Sequence, residues 1–132
     1  MFGKKNDSKP QGRIDSLIGA GTRVEGSIRF SGGLRIDGEV SGSVEATEGA
    51  SSTLVLSEHA RVEGGISVAH LVSNGTVVGS VSVSESLEMQ SKARIVGDVD
   101  YAMIEMHQGA VIEGRLVHQG AKSVELKLAA SN

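Results

Sequence analysis

Repeatedly along this 132-residue chain, an apolar residue and a glycine and a second apolar residue occur with one residue of any type between each. Instances are Val24–Ile28 around Gly26, Ile36–Val40 around Gly38, Val62–Ile66 around Gly64, Val77–Val81 around Gly79, Ile95–Val99 around Gly97 and Ile112–Leu116 around Gly114. The last four glycines stand 15, 18 and 17 residues apart. Between them lies an apolar–x–apolar pair, seen as Leu34/Ile36, Leu54/Leu56, Leu87/Met89 and Ile104/Met106, with Leu71 in the same place in a shorter unit. Three of these pairs lead, four residues on, to Ala60, Ala93 and Ala110, and a third pair follows the glycine as Ile66/Val68, Val81/Val83 and Val99/Tyr101. A self-similar period of this size marks a solenoid, in which each unit buries its apolar face only against its neighbours.

Each unit reads as three short strands, because strict alternation buries one face and wets the other. Three strands per unit make a triangular coil, and stacking the coils pairs the strands in parallel. Glycines suit the corners, where the chain needs positive φ or close approach. Residues from about 18 to 118 give roughly six rungs, a rod of about 29 Å at about 4.8 Å per rung. Composition agrees. Aromatics are limited to Phe2, Phe30 and Tyr101, so Val, Ile, Leu, Met and Ala must fill the core. No long stretch shows the spacing of an amphipathic helix. The expected organisation is a flexible tail over 1–14, a β-helix domain over 15–119 and a carboxyl tail over 120–132.

The chain has no cysteine, which removes disulfide and thiolate chemistry. Its longest apolar run, Tyr101 to Ile104, is far short of the roughly 20 residues a membrane span needs. No signal peptide follows Lys4 and Lys5, and Phe2 stands where N-myristoylation requires glycine. These features predict a cytoplasmic protein. Residues 1–13 carry Lys4, Lys5, Lys9 and Arg13 against Asp7, so the net charge of −3 divides into a basic tail and an acidic body. An acidic body argues against a nucleic-acid partner.

The arrangement closely resembles the bactofilin family. The resemblance rests on Leu34–Gly42 (Leu-Arg-Ile-Asp-Gly-Glu-Val-Ser-Gly), Gly109–Arg115 (Gly-Ala-Val-Ile-Glu-Gly-Arg), Ser16–Thr22 (Ser-Leu-Ile-Gly-Ala-Gly-Thr) and the tail Met1-Phe2-Gly3-Lys4-Lys5. It covers nearly the whole chain. It implies a right-handed, single-stranded parallel β-helix and a bacterial cytoskeletal scaffold. It also implies a homopolymer that assembles without nucleotide into nonpolar filaments, peripheral to the inner face of the cytoplasmic membrane, and that recruits cell-wall enzymes. The tail is similar to a membrane-targeting motif, with Met1, Phe2, Lys4 and Lys5 as the membrane-binding residues. Many members carry a phenylalanine important for polymerisation near the carboxyl end of the helix; the comparable place here holds Ile112.

Physical reasoning supports the same two roles. A coil has no lateral edge but two open ends, each with unpaired N–H and C=O groups and an apolar cross-section. No amphipathic capping helix is visible, so the ends should associate, with the polymer interface expected at Leu17 and Ile18 in front and at Ile112 and Leu116 behind. Like ends would meet in an isologous, nonpolar junction, and residues alone leave head-to-tail stacking open. Against this stands a monomeric binding module, in which Val124, Leu126 and Leu128 fold back as a cap. In the tail, each Lys near an anionic leaflet contributes about 1 kcal/mol and a buried Phe roughly 1.5–3 kcal/mol. Such a weak anchor becomes sufficient through the avidity of a filament.

The rival class is an enzyme resembling left-handed β-helix acyltransferases, whose hexad pattern Ile18–Val24 partly matches. The intervals of 15 and 17 residues break that six-residue phase. Carboxylates Glu25, Asp37, Glu63 and Glu113 are expected to point outward as an acidic stripe on one face. The four histidines, His59, His70, His107 and His118, are expected as solvated surface groups on different corners, without a metal site. Gly19-x-Gly21 leads into neither a helix nor Lys-Ser/Thr, so no phosphate loop forms. No catalytic residue, cofactor or metal is expected.

Overall fold

The computed structural model describes residues 14–47 and 51–119, and every regular element among them is a β-strand. The strands fall into six successive rungs. The first comprises β1 (Ser16–Ile18), β2 (Arg23–Glu25) and β3 (Ile28–Phe30), and the second β4 (Gly32–Ile36), β5 (Glu39–Ser41) and β6 (Val44–Ala46). The third runs through β7 (Ser52–Leu56), β8 (Arg61–Glu63) and the start of β9 (Ile66–Ser73). The fourth takes the rest of β9, then β10 (Thr76–Val78) and the start of β11 (Val81–Met89). The fifth uses the rest of β11, then β12 (Arg94–Val96) and β13 (Val99–Tyr101), and the sixth is β14 (Met103–Met106), β15 (Val111–Glu113) and β16 (Leu116–His118).

Each strand pairs in parallel with its equivalents one rung away, so residues stack in columns along the axis. On the first face, Leu34, Leu54, Leu71, Leu87 and Ile104 form one column, and Ile18, Ile36, Leu56, Ser73, Met89 and Met106 another. The second face stacks Val24, Val40, Val62, Val77, Ile95 and Ile112. The third stacks Ile28, Val44, Ile66, Val81, Val99 and Leu116. These columns are the core. Between the ends they are sealed, with Ile36, Leu54, Val62, Leu71, Val77 and Ile95 all fully buried. Burying each such side chain stabilises the coil by about 1.5–3 kcal/mol. Ser73 is a fully buried polar member, and its Oγ satisfies itself by accepting the Gly75 N–H at 3.2 Å. The expected alanines Ala60 and Ala93 are buried at corners, where a larger side chain would not fit beside the turning backbone.

The corner between the second and third faces carries a continuous ladder of Gly26, Gly42, Gly64, Gly79, Gly97 and Gly114. At Gly64, φ is +152°, and a Cβ would collide with the carbonyl of Gly42 one rung away. The second-rung member is therefore Gly42, within Val40-Ser41-Gly42-Ser43-Val44, rather than Gly38 as the motif Ile36–Val40 suggests. Gly38 lies at the corner between the first and second faces, where a Cβ would collide with the carbonyls of Gly19 and Thr22. Steps between successive members of the Val24 column are 16, 22, 15, 18 and 17 residues. The corners absorb these differences while strand registers hold, which is why no strict hexad survives.

Gly64→Ala is expected to cost about 1–3 kcal/mol from backbone strain alone, with the backbone collision added. Gly65 meets nothing closer than the Ser80 carbonyl at 3.6 Å. Gly65→Ala should therefore stay within about 0.5 kcal/mol of the parent. Chemical denaturation of the two variants, followed by circular dichroism, checks the contrast.

Candidate polymer interface

The columns that are sealed in the middle of the coil open at both extremities. In front, Ile18, Val24 and Ile28 are only partly buried, although their partners Ile36, Val40 and Val44 one rung in are enclosed, while Phe30 and its partner Ala46 are both partly buried. Behind, Ile104, Ala110 and Ile112 are partly buried, and Met106 and Leu116 are 43% and 48% exposed. Their partners Leu87, Ile95, Met89 and Val99 are buried. Each column is almost wholly apolar along its length; what differs at its extremities is the neighbouring rung. Among the described residues, no strand lies beyond the first or sixth rung.

Of the residues expected at the interface, Ile18, Ile112 and Leu116 therefore stand in the inward columns. Leu17 does not. It pairs with Arg35, in the outward column that continues through Val55, Val72, Glu88 and Glu105, and it is 60% exposed on the side of the rod. Ser16 occupies the inward place beside it, aligned with Leu34. Sequence reasoning missed Val24, Ile28 and Phe30 in front and Ile104 and Met106 behind. All five sit in the repeat, and ranking each column's first and last member would have found them. Met1, Phe2, Lys4 and Lys5 lie outside the described residues, as do Val124, Leu126 and Leu128.

At the front margin, Asp15 adds a side-chain tie to the backbone pairing. The Asp15 carboxylate accepts the Gly33 N–H at 2.9 Å, and the Asp15 N–H donates to the Gly33 carbonyl at 2.9 Å. At the back, the Tyr101 and His118 rings stack at 5.2 Å, and the His118 Nε2 lies 2.8 Å from the Ala102 carbonyl, to which its N–H donates. His70 is also half-buried, its Nδ1 bonded to the Ser86 hydroxyl at 2.8 Å. Those two histidines thus differ from the solvated groups expected, because each finds a partner one rung away. His59 and His107 are exposed. His107 lies 3.3 Å from Glu88 and 3.4 Å from Glu105. Among the described residues, no three potential ligands gather to hold a metal ion.

The sides are charge-patterned, but there is no acidic stripe. Glu25, Ser41, Glu63, Val78, Val96 and Glu113 share one outward column of the second face, so the carboxylates are interrupted. Each is also matched by an arginine, in Arg23–Glu25, Arg61–Glu63 and Arg94–Glu113, and Arg23 reaches Glu39 as well. Asp37 sits apart, paired with Arg35. Elsewhere, a hydrogen bond from Lys92, its charge and then that of His59 hold the Glu58 carboxyl below its usual range.

A family model described as "Bactofilin: Polymer-forming cytoskeletal" matches residues 16–117. The chain is similar to two proteins of Myxococcus xanthus (strain DK1622). With Bactofilin BacP it shares 33% identity over 97 residues, which cover 72% of this chain and 40% of BacP. With Bactofilin BacO it shares 26% over 102 residues, covering 77% of this chain and 78% of BacO. It therefore spans less than half the length of BacP. No solved structure matches. Among the described residues, no helix is long and apolar enough to cross a membrane.

The exposed ion pairs should be nearly neutral for folding. Arg61→Gln breaks the 2.8 Å pair with Glu63 and is expected to change unfolding free energy by no more than about 1 kcal/mol in denaturant titration.

Proposed function

This chain belongs to the bactofilin family of polymer-forming cytoskeletal proteins, and we propose that its rods join end to end, without nucleotide, into nonpolar filaments on the inner face of the cytoplasmic membrane. The family is structural rather than catalytic. The observation that carries the reading is the loss of burial towards both extremities of the coil, greatest in the two terminal cross-sections. The half-covered apolar residues there leave water fully only when another rung covers them, and the marginal N–H and C=O groups of the outer strands find partners in the same contact.

Like ends meeting like give a nonpolar polymer. One side-face contact counts against head-to-tail stacking. A head-to-tail junction that continued the existing registers would set Glu113 of one rod over Glu25 of the next, and like charges directly opposite are destabilising. Met1, Phe2, Lys4 and Lys5 serve as the membrane contact, weak in one chain and sufficient in a polymer that presents many. The resulting scaffold organises cell shape or cell-wall enzymes, which dock on its sides.

Electron microscopy of the purified protein without nucleotide tests the core of this reading: filaments are expected, and uniform small particles would overturn it. Ile112→Arg should abolish filaments while preserving the β spectrum, because a charge at the apolar junction costs several kcal/mol, of order 3 or more. Val111→Arg, one residue away in the outward column that already holds Arg61 and Arg94, should still polymerise. Equal loss in both variants would remove Ile112 from the junction.

The tail is tested separately. Deleting residues 2–5 is expected to abolish co-sedimentation with anionic liposomes and to leave filaments intact. Retained co-sedimentation would remove the tail from membrane binding.

A further inference from the structure

Four methionines and no cysteine make thioether the only form of sulfur in this chain. Two of these methionines stand in one column, one rung apart, in opposite environments. Met89 is fully enclosed, whereas its partner Met106 in the last rung is 43% exposed. Met103, on the same last-rung strand but in the outward phase aligned with Ser86, is 68% exposed. The Met106 column is otherwise filled by Ile18, Ile36, Leu56 and Ser73, so packing is served equally well by Ile or Leu. Met and Leu are close in volume and interchange at small cost in a core. What methionine adds at this end is therefore its reactivity rather than its shape.

We infer that Met106 is an oxidation site through which peroxide blocks addition of a rod at the back end. Hydrogen peroxide transfers one oxygen atom to the sulfur lone pair. The O–O bond breaks, a sulfur–oxygen bond forms, water leaves, and sulfur is oxidised by two electrons while the peroxide is reduced. The product is a polar, strongly accepting sulfoxide in a cross-section that otherwise holds Ile104, Ala110, Ile112, Leu116 and His118, and His118, the donor among these side chains, already gives its Nε2–H to the Ala102 carbonyl. Covering it would strip its water without replacement, so the oxidised end stays unjoined. Within a formed junction the thioether is shielded, so oxidation acts on free rods and filament tips. Methionine sulfoxide reductases reverse the step. This inference rests on the end-to-end reading given above.

The test treats the full chain with hydrogen peroxide before assembly, locates added oxygen by peptide mass spectrometry and measures the protein concentration needed for sedimentable filaments. Oxygen is expected on Met103 and Met106 and not on Met89, with the required concentration raised about tenfold and restored by sulfoxide reductases. Peroxide added after assembly should modify Met106 much more slowly. Measured against its own untreated sample, Met106→Leu should lose the response, and Met103→Leu should keep it. An unchanged assembly concentration with Met106 oxidised would overturn the inference, as would a full response in Met106→Leu. Either result leaves the end-to-end reading standing. Untreated protein that forms no filaments would overturn both.

Discussion

Everything in this molecule depends on backbone hydrogen bonds that run along the axis from one rung to the next. At the corners as well as in the strands, an N–H of one rung meets a carbonyl of its neighbour, as in Gly64 to Val78, Thr76 to Ala60 and Arg94 to Gly75. The hydrogen-bonding distance holds neighbouring rungs about 4.8 Å apart. That spacing forces like residues over like in the interior, and it leaves no room for a Cβ at Gly42, Gly64, Gly79, Gly97 or Gly114 in the glycine corner. Side chains fill the space that the backbone defines. The near absence of large rings follows, since a narrow triangular interior accepts stacked Val, Ile and Leu, and the two described rings, Phe30 and Tyr101, lie only partly buried in one inward column near its two ends.

Much of this order is legible in the sequence because the repeat and the packing are the same fact. The pairs Leu54/Leu56, Ile66/Val68 and Val81/Val83, and the corner alanines Ala60 and Ala93, all occupy the buried places their spacing implies. Errors arise where a local pattern fits two places. Ile36-x-Gly38-x-Val40 and Val40-x-Gly42-x-Val44 match the same motif, and only the contact between rungs distinguishes them, by placing Gly42 against Gly26 and Gly64. Leu17 and Ile18 are adjacent apolar residues. Their phase is fixed by pairing with Arg35 and Ile36, which is a property of the neighbouring rung rather than of the segment itself. The supposed acidic stripe fails for a related reason. Ser41, Val78 and Val96 stand in the column with Glu25, Glu63 and Glu113, and the intervals between them are unequal.

The same stacking that makes the middle inert makes the ends reactive. No new kind of chemistry is needed at either extremity, because among the described residues a terminal cross-section is an ordinary rung with one neighbour instead of two. A structural family therefore requires no cluster of catalytic groups, and the proposed junction requires only aliphatic residues such as Ile112. The charged sides contribute little to folding. They remain free to differ between relatives, since their residues point away from the core and are held in place only by the backbone.

Rungs also work as a ruler. In a polymer of such rods, any feature of one side face recurs only at intervals set by the number of turns each copy contributes. The exposed apolar Val78 on the second face, for example, is presented once per copy. A protein that docks on a face would thus be arrayed along the filament at a pitch counted in coils, independent of its own size. Gaining or losing one coil would retune that pitch by about 4.8 Å without touching the docking residues themselves.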